Sequence, residues 1–144
     1  MHEAALAQYI VDAFPNVEDL VVRGDHYFYH HADPAAPRDH RFPFATLVTS
    51  DAHDQVSQLH REGVYRLNIG LSKTTFQSLF GGPAEQTNAT VATPPDYTAL
   101  DRIMPHPVYG KMYWVCVLNP SDETLRTLHM LLAEAHANAK QRRD

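Results

Sequence analysis

One cysteine in 144 residues, Cys116, leaves no disulfide framework and no multi-cysteine zinc site to hold the chain together. A reducing, cytoplasmic setting is therefore expected. Long apolar runs are missing too: none approaches bilayer length, so no membrane span is expected. The opening Met1 to Ile10 carries Glu3 and no cationic stretch ahead of an apolar core, which argues against a secretory signal. Positive charge is scarce. Twelve Lys and Arg against seventeen Asp and Glu leave a formal charge of -5. That balance lacks the field that supplies most sequence-independent affinity for phosphate backbones, and it argues against nucleic acid as a partner. There is no Gly-rich phosphate loop, no nucleophile elbow and no paired-carboxylate signature, so nucleotide and serine hydrolysis are poor readings.

Ten histidines are present, but their spacing does not match metal-ligand patterns. His30 and His31 point to opposite faces of one strand, and Asp51-Ala-His-Asp54 has no recognised ligand geometry. No metal and no cofactor are expected.

At 44% hydrophobic and 20% charged residues the chain is an ordinary globular one, long enough for a single domain over residues 1–144. Ala5, Ile10, Val11 and Phe14, with Leu6 and Tyr9 beside them, predict a helix that Pro15 stops. Leu20 to Arg23 and His26 to His30 flank Gly24-Asp25 and predict a hairpin. In that turn Asp25 is expected to bond its own backbone. Residues 32–43 hold three prolines and read as a loop. Strands are expected over Phe44–Thr49, Val64–Ile69 and Tyr113–Leu118, the last nearly all apolar and so central. Ser72 predicts a capped helix carrying Phe76, Leu79 and Phe80, ended by Gly81-Gly82, and residues 81–95 read as a long loop. Tyr97, Leu100 and Ile103 predict a short helix over 96–104. Asn119 and Pro120 predict the start of a long last helix with Leu125, Leu128, Leu132 and Ala135 buried.

Strands grouped ahead of helices predict an α+β fold: a mostly antiparallel sheet of about five strands, with the N-terminal and the long C-terminal helix packed on one face. The other face is expected to stay partly open.

Side chains alternate along Val64–Ile69, so Arg66 and Asn68 share the face opposite the core residues Tyr65, Leu67 and Ile69. About 7 Å apart by strand rise, they suit the grip of one anionic or polar group, unless Arg66 simply pairs with a neighbouring acid. His106 stands between Pro105 and Pro107, whose rings limit its backbone, and Tyr109 stands near enough in sequence to assist it. Trp114 offers a flat apolar face with one donor and can floor a pocket or fill the core. Cys116, in the same apolar strand, is expected to be a buried hydrophobe with a raised pKa.

Arg41-Phe-Pro-Phe-Ala-Thr-Leu-Val-Thr-Ser-Asp51, Tyr65-Arg-Leu-Asn-Ile-Gly70, Asp96 to Tyr109 and Trp114-Val-Cys-Val-Leu-Asn-Pro120 together cover most of the chain. They resemble a bacterial family catalogued as a domain of unknown function, which brings no assigned site residues. A fainter similarity, in element order and around Trp114, is to MmcQ/YjbR-like domains, and it implies a nucleic-acid role that the acidic balance opposes. The reading that results is a small binding domain for a polar or anionic ligand, with Arg66, Asn68, His106, Tyr109 and Trp114 as its site. Two alternatives stand beside it: a small enzyme using His106 as general acid or base with Arg66, and a protein-interaction or DNA-binding module.

Overall fold

The computed structural model of the chain describes residues 2–31, 42–81 and 95–141. The expected loop over 81–95 lies almost wholly outside them, as does most of the loop over 32–43. Helix α1 is Glu3–Ala13, and it is followed by β1 (Val17–Val22), β2 (Asp25–His30), β3 (Ala45–Val48) and β4 (Arg66–Gly70). Then come α2 (Lys73–Phe80), β5 (Met104–Pro105), β6 (Trp114–Leu118) and α3 (Asp122–Gln141). The strands form one six-stranded sheet in the order β1-β2-β3-β4-β6-β5, antiparallel at every pairing. This is the expected α+β fold, with one strand more than foreseen.

Register divides the sheet into two unlike faces. Phe28, Ala45, Leu47, Leu67, Ile69, Val115 and Val117 share one face and pack against Leu6, Ala7 and Ile10 of α1 and Leu128, Leu131, Leu132 and Ala135 of α3. Each fully buried Leu, Ile or Phe of this layer stabilises the fold by about 1.5–3 kcal/mol. Both terminal helices thus lie on one face, as the pattern predicts. The buried side of α1 is Leu6, Ala7 and Ile10, while Ala5 of the expected stripe is exposed. Phe14, just past the helix, stacks instead on His129 and His136 of α3.

The second face is covered at one end. Val48, Cys116, Leu118 and Met104 are covered there by Leu59, Val64 and Tyr97, from the segments that precede β4 and β5. Residues 51–63 run as successive turns across that end of the sheet.

Four local expectations are corrected by hydrogen bonding. The first hairpin turns at Arg23-Gly24, one residue early, because both sit at positive φ (53° and 86°), as a two-residue turn with matching twist requires. Asp25 then points into the sheet, where it accepts from Thr49 N–H (2.9 Å) and Thr49 Oγ1 (3.2 Å), not from its own turn. The predicted helix over 96–104 is absent: Asp96 captures Thr98 N–H and Oγ1, Asp101 sits at φ 59°, and Met104–Pro105 pairs with β6. Finally, Ser121 and not Asn119 caps α3, by accepting from Thr124 N–H at 3.2 Å. Asn119 is in the left-handed region (φ 42°), takes Tyr65 N–H and donates to Gly63 O, tying β6 to the entry of β4.

Candidate functional site

Cross-strand pairing lays Thr46 of β3, Asn68 of β4 and Cys116 of β6 side by side on the second face, with Arg66 one row below and Trp114 one row above. Arg66 is only 2% exposed, among the largest fully buried side chains of the molecule. Four of its five guanidinium N–H groups are engaged. It makes a two-pronged ion pair with Asp54 (3.0 and 2.7 Å), donates to Ser57 Oγ (3.0 Å), and gives its Nε–H to Asn68 Oδ1 (3.1 Å). Asn68 in turn donates to Thr46 Oγ1 at 2.9 Å. Asp54 answers the charge of Arg66, and the guanidinium holds that carboxyl below its usual range. Arg66 and Asn68 do share a face, as alternation predicts, but they form a satisfied polar layer beneath the surface.

His106 rises on the same face. Its backbone N–H bonds Trp114 O (2.9 Å), extending the β5–β6 ladder so that His106 stands opposite Trp114. The ring is 5% exposed and fixed by its own turn: Nδ1 accepts the backbone N–H groups of Val108 (3.0 Å) and Tyr109 (2.9 Å). Burial first, and then the positive charge of Arg66, lower its pKa to about 4, against a smaller opposite push from Asp54. The neutral ring therefore carries its proton on Nε2, since both donors at Nδ1 need that lone pair. Among the described residues nothing accepts a hydrogen bond from Nε2.

Tyr109 lies beside this ring, centroids 5.0 Å apart, and is half exposed. Across the sheet, Tyr27 of β2 faces the same space. Its phenol is raised above the ordinary range by burial first, then by the nearness of Asp25, Tyr29 and Tyr109. Trp114 lies flat across Gly70, where a Cβ would meet its ring atoms at 2.8–3.1 Å. Its indole N–H also has no acceptor among the described residues. Cys116 sits below, fully buried, its thiol pushed up to about 12 chiefly by desolvation. Of the five expected residues, then, His106, Tyr109 and Trp114 supply accessible groups, and Arg66 with Asn68 supports them from beneath.

One arrangement escaped sequence reading. His53 Nε2 lies 3.0 Å from Asp25 Oδ2 and 3.3 Å from Tyr27 Oη, while the other ring nitrogen has no partner among the described residues. Asp25 is 3% exposed and held by Thr49, so the carboxylate orients a histidine that is itself half exposed. Such a dyad is a familiar arrangement for proton transfer. A polar residue entering β2 directly after a turn was the only available signal, and the partner comes from a loop with no periodicity to place it.

Other histidine–acid contacts do not build a metal centre. His26 is bracketed by Asp19 at Nδ1 (2.9 Å) and Glu3 at Nε2 (3.7 Å), on opposite sides of the ring. Among the described residues no group of three or more His, Cys, Asp or Glu converges to hold a metal. A surface cleft of about 490 Å³ opens between the start of α1 and the 50–65 segment, and none of the five expected residues lines it. Its polar lining is already committed: Asp51 binds His60 and Leu59 N–H, and Arg61 donates to the carbonyls of Ser57, Gln58 and Thr98. No helix among the described residues is long and apolar enough to cross a membrane.

Residues 1–144 match the model of a family of unknown function. No curated protein and no solved structure matches the chain.

Proposed function

The chain belongs to DUF6194, and with no activity described for that family we propose that the chain is a binding domain for a small, planar, neutral molecule bearing a carbonyl or amide oxygen. The observation that carries this reading is His106: a nearly buried, neutral ring whose Nδ1 is occupied twice and whose Nε2–H has no acceptor among the described residues. That donor reaches solvent at the edge of a largely buried ring, so a ligand acceptor there takes the place of water. Tyr109 offers a flat face beside the ring, and Trp114, on the same side of the sheet, offers its indole face and a second donor in Nε1–H. Because Arg66 already carries Asp54, an anionic ligand meets a neutralised pair and not a free cation, so anions gain little over neutral isosteres.

Thermal-shift screening of neutral carbonyl and amide compounds beside matched carboxylates tests this. His106→Asn keeps an acceptor for the Val108 and Tyr109 N–H groups but removes the Nε2–H. The expected result is that neutral compounds raise the melting temperature of the native chain and lose that effect in His106→Asn. Carboxylates stabilising more strongly than neutral isosteres, or undiminished binding by His106→Asn, would refute the reading.

A second reading, an enzyme, is favoured by the Asp25–His53 dyad with its outward ring nitrogen beside Tyr27. In the same screen, chemical conversion of a bound compound that disappears in His53→Gln would establish it. The His106 ring is the poorer base, since its one lone pair is held by two backbone donors.

A further inference from the structure

The two edges of the sheet are built differently. β5 is two residues long, contains Pro105 and is followed by Pro107, which blunts it against further pairing. β1 is six residues long and ends in Leu20, Val21 and Val22, exposed by 42%, 53% and 45%. No strand among the described residues pairs with its outer side.

Alternation of the ladder says which groups face outward. The two-residue turn makes Val22 and Asp25 a hydrogen-bonded pair, and His31 N–H to Asn16 O (2.7 Å) marks another at the far end. Asn16, Glu18, Leu20 and Val22 therefore bond toward β2. Val17, Asp19 and Val21 turn their N–H and C=O groups away from the sheet.

We propose that β1 pairs with β1 of a second copy, antiparallel about a two-fold axis at Val21, joining two sheets into one of twelve strands. In that register Val21 faces Val21 of the other copy, and Leu20 faces Val22. Asp19 faces Arg23, twice over by symmetry. Arg23 is exposed and makes no ion pair among the described residues, so each copy offers an unmatched cation to the acid of the other. The neighbouring register, centred on Asp19, would set like charges face to face. Self-pairing thus covers three exposed apolar residues and brings each Arg23 beside Asp19, whose carboxylate also lies 2.9 Å from His26 Nδ1 of its own chain. The interface is small, and the dimer is correspondingly concentration-dependent.

Val21→Cys gives the direct test. Residues opposed in a hydrogen-bonded pair lie about 5.5 Å apart at Cα, within the range a disulfide spans. Native Cys116 is fully buried and gives no background cross-link. Mild oxidation is expected to convert Val21→Cys mainly to a disulfide dimer, while the native chain stays uncross-linked. Sedimentation velocity of the native chain is expected to show a monomer–dimer equilibrium. Arg23→Glu should weaken it about tenfold by opposing Asp19 with a like charge. Val21→Pro should abolish it, because the N–H removed faces outward and β1–β2 loses no bond. A native chain that stays monomeric at every concentration, or a dimer indifferent to both substitutions, would overturn the proposal.

Discussion

Arg66 shows how one residue resolves two opposed readings. Strand alternation correctly places it with Asn68 on the face away from the helices, but nothing in periodicity reveals that Asp54, twelve residues upstream in a turn-rich segment, closes over it. Loop residues carry no repeat from which their fold-back position can be read. The consequence is energetic: a buried guanidinium in contact with a carboxylate is stable only as a pair. Asp54→Asn is expected to destabilise the fold by about 3 kcal/mol in urea unfolding, because it leaves a buried charge without its partner. Replacing both, Asp54→Leu with Arg66→Met, should cost clearly less than the two single changes summed. Additivity within about 0.5 kcal/mol would mean that the pair is not coupled.

Among the elements, those with strong local signals were legible. The first helix with its Pro15 stop, the Ser72 cap, the apolar strand through Val115 and Val117, which lies next to the β5 edge and not at the centre as expected, and the long last helix all follow from spacing and capping chemistry. The misses share a cause, in that a side chain or a partner strand outcompeted the local pattern. Asp96 drew Thr98 into a turn, β6 drew Met104–Pro105 into the sheet, and Asn119 was needed to bridge Tyr65 and Gly63, which left the cap to Ser121. Gly70 has a role that only the packed elements reveal: it gives the Trp114 ring room to lie across β4. Gly70→Ala is expected to displace the indole, shift the emission of this single tryptophan to the red, and destabilise by about 1–3 kcal/mol. Unchanged emission would mean that the ring does not rest on the glycine.

Viewed as a whole molecule, the sheet separates an apolar layer under α1 and α3 from a polar, aromatic layer on the opposite side, where Arg66, Cys116 and His106 are all buried. That division, and the convergence of His106 with Trp114 on one side, follow from register. Tyr27 and His53 meet only because a turn-rich loop folds back over β2, a contact the sequence hides. The central claim rests on a neutral His106 with its proton on Nε2, and its sign is definite. With a folded pKa of about 4 against 6.5 unfolded, the unfolded chain binds a proton that the folded chain refuses between those values. Stability is thus full above about pH 6.5 and falls as pH drops toward 4, by about 3 kcal/mol. The most direct measurement is a titration of the histidine ring nitrogens by nitrogen-15 NMR, with His106→Asn giving the assignment. The account predicts a His106 ring protonated on Nε2 alone near neutrality and titrating only near pH 4. A ring that titrates near 6.5, or carries its proton on Nδ1, would contradict it.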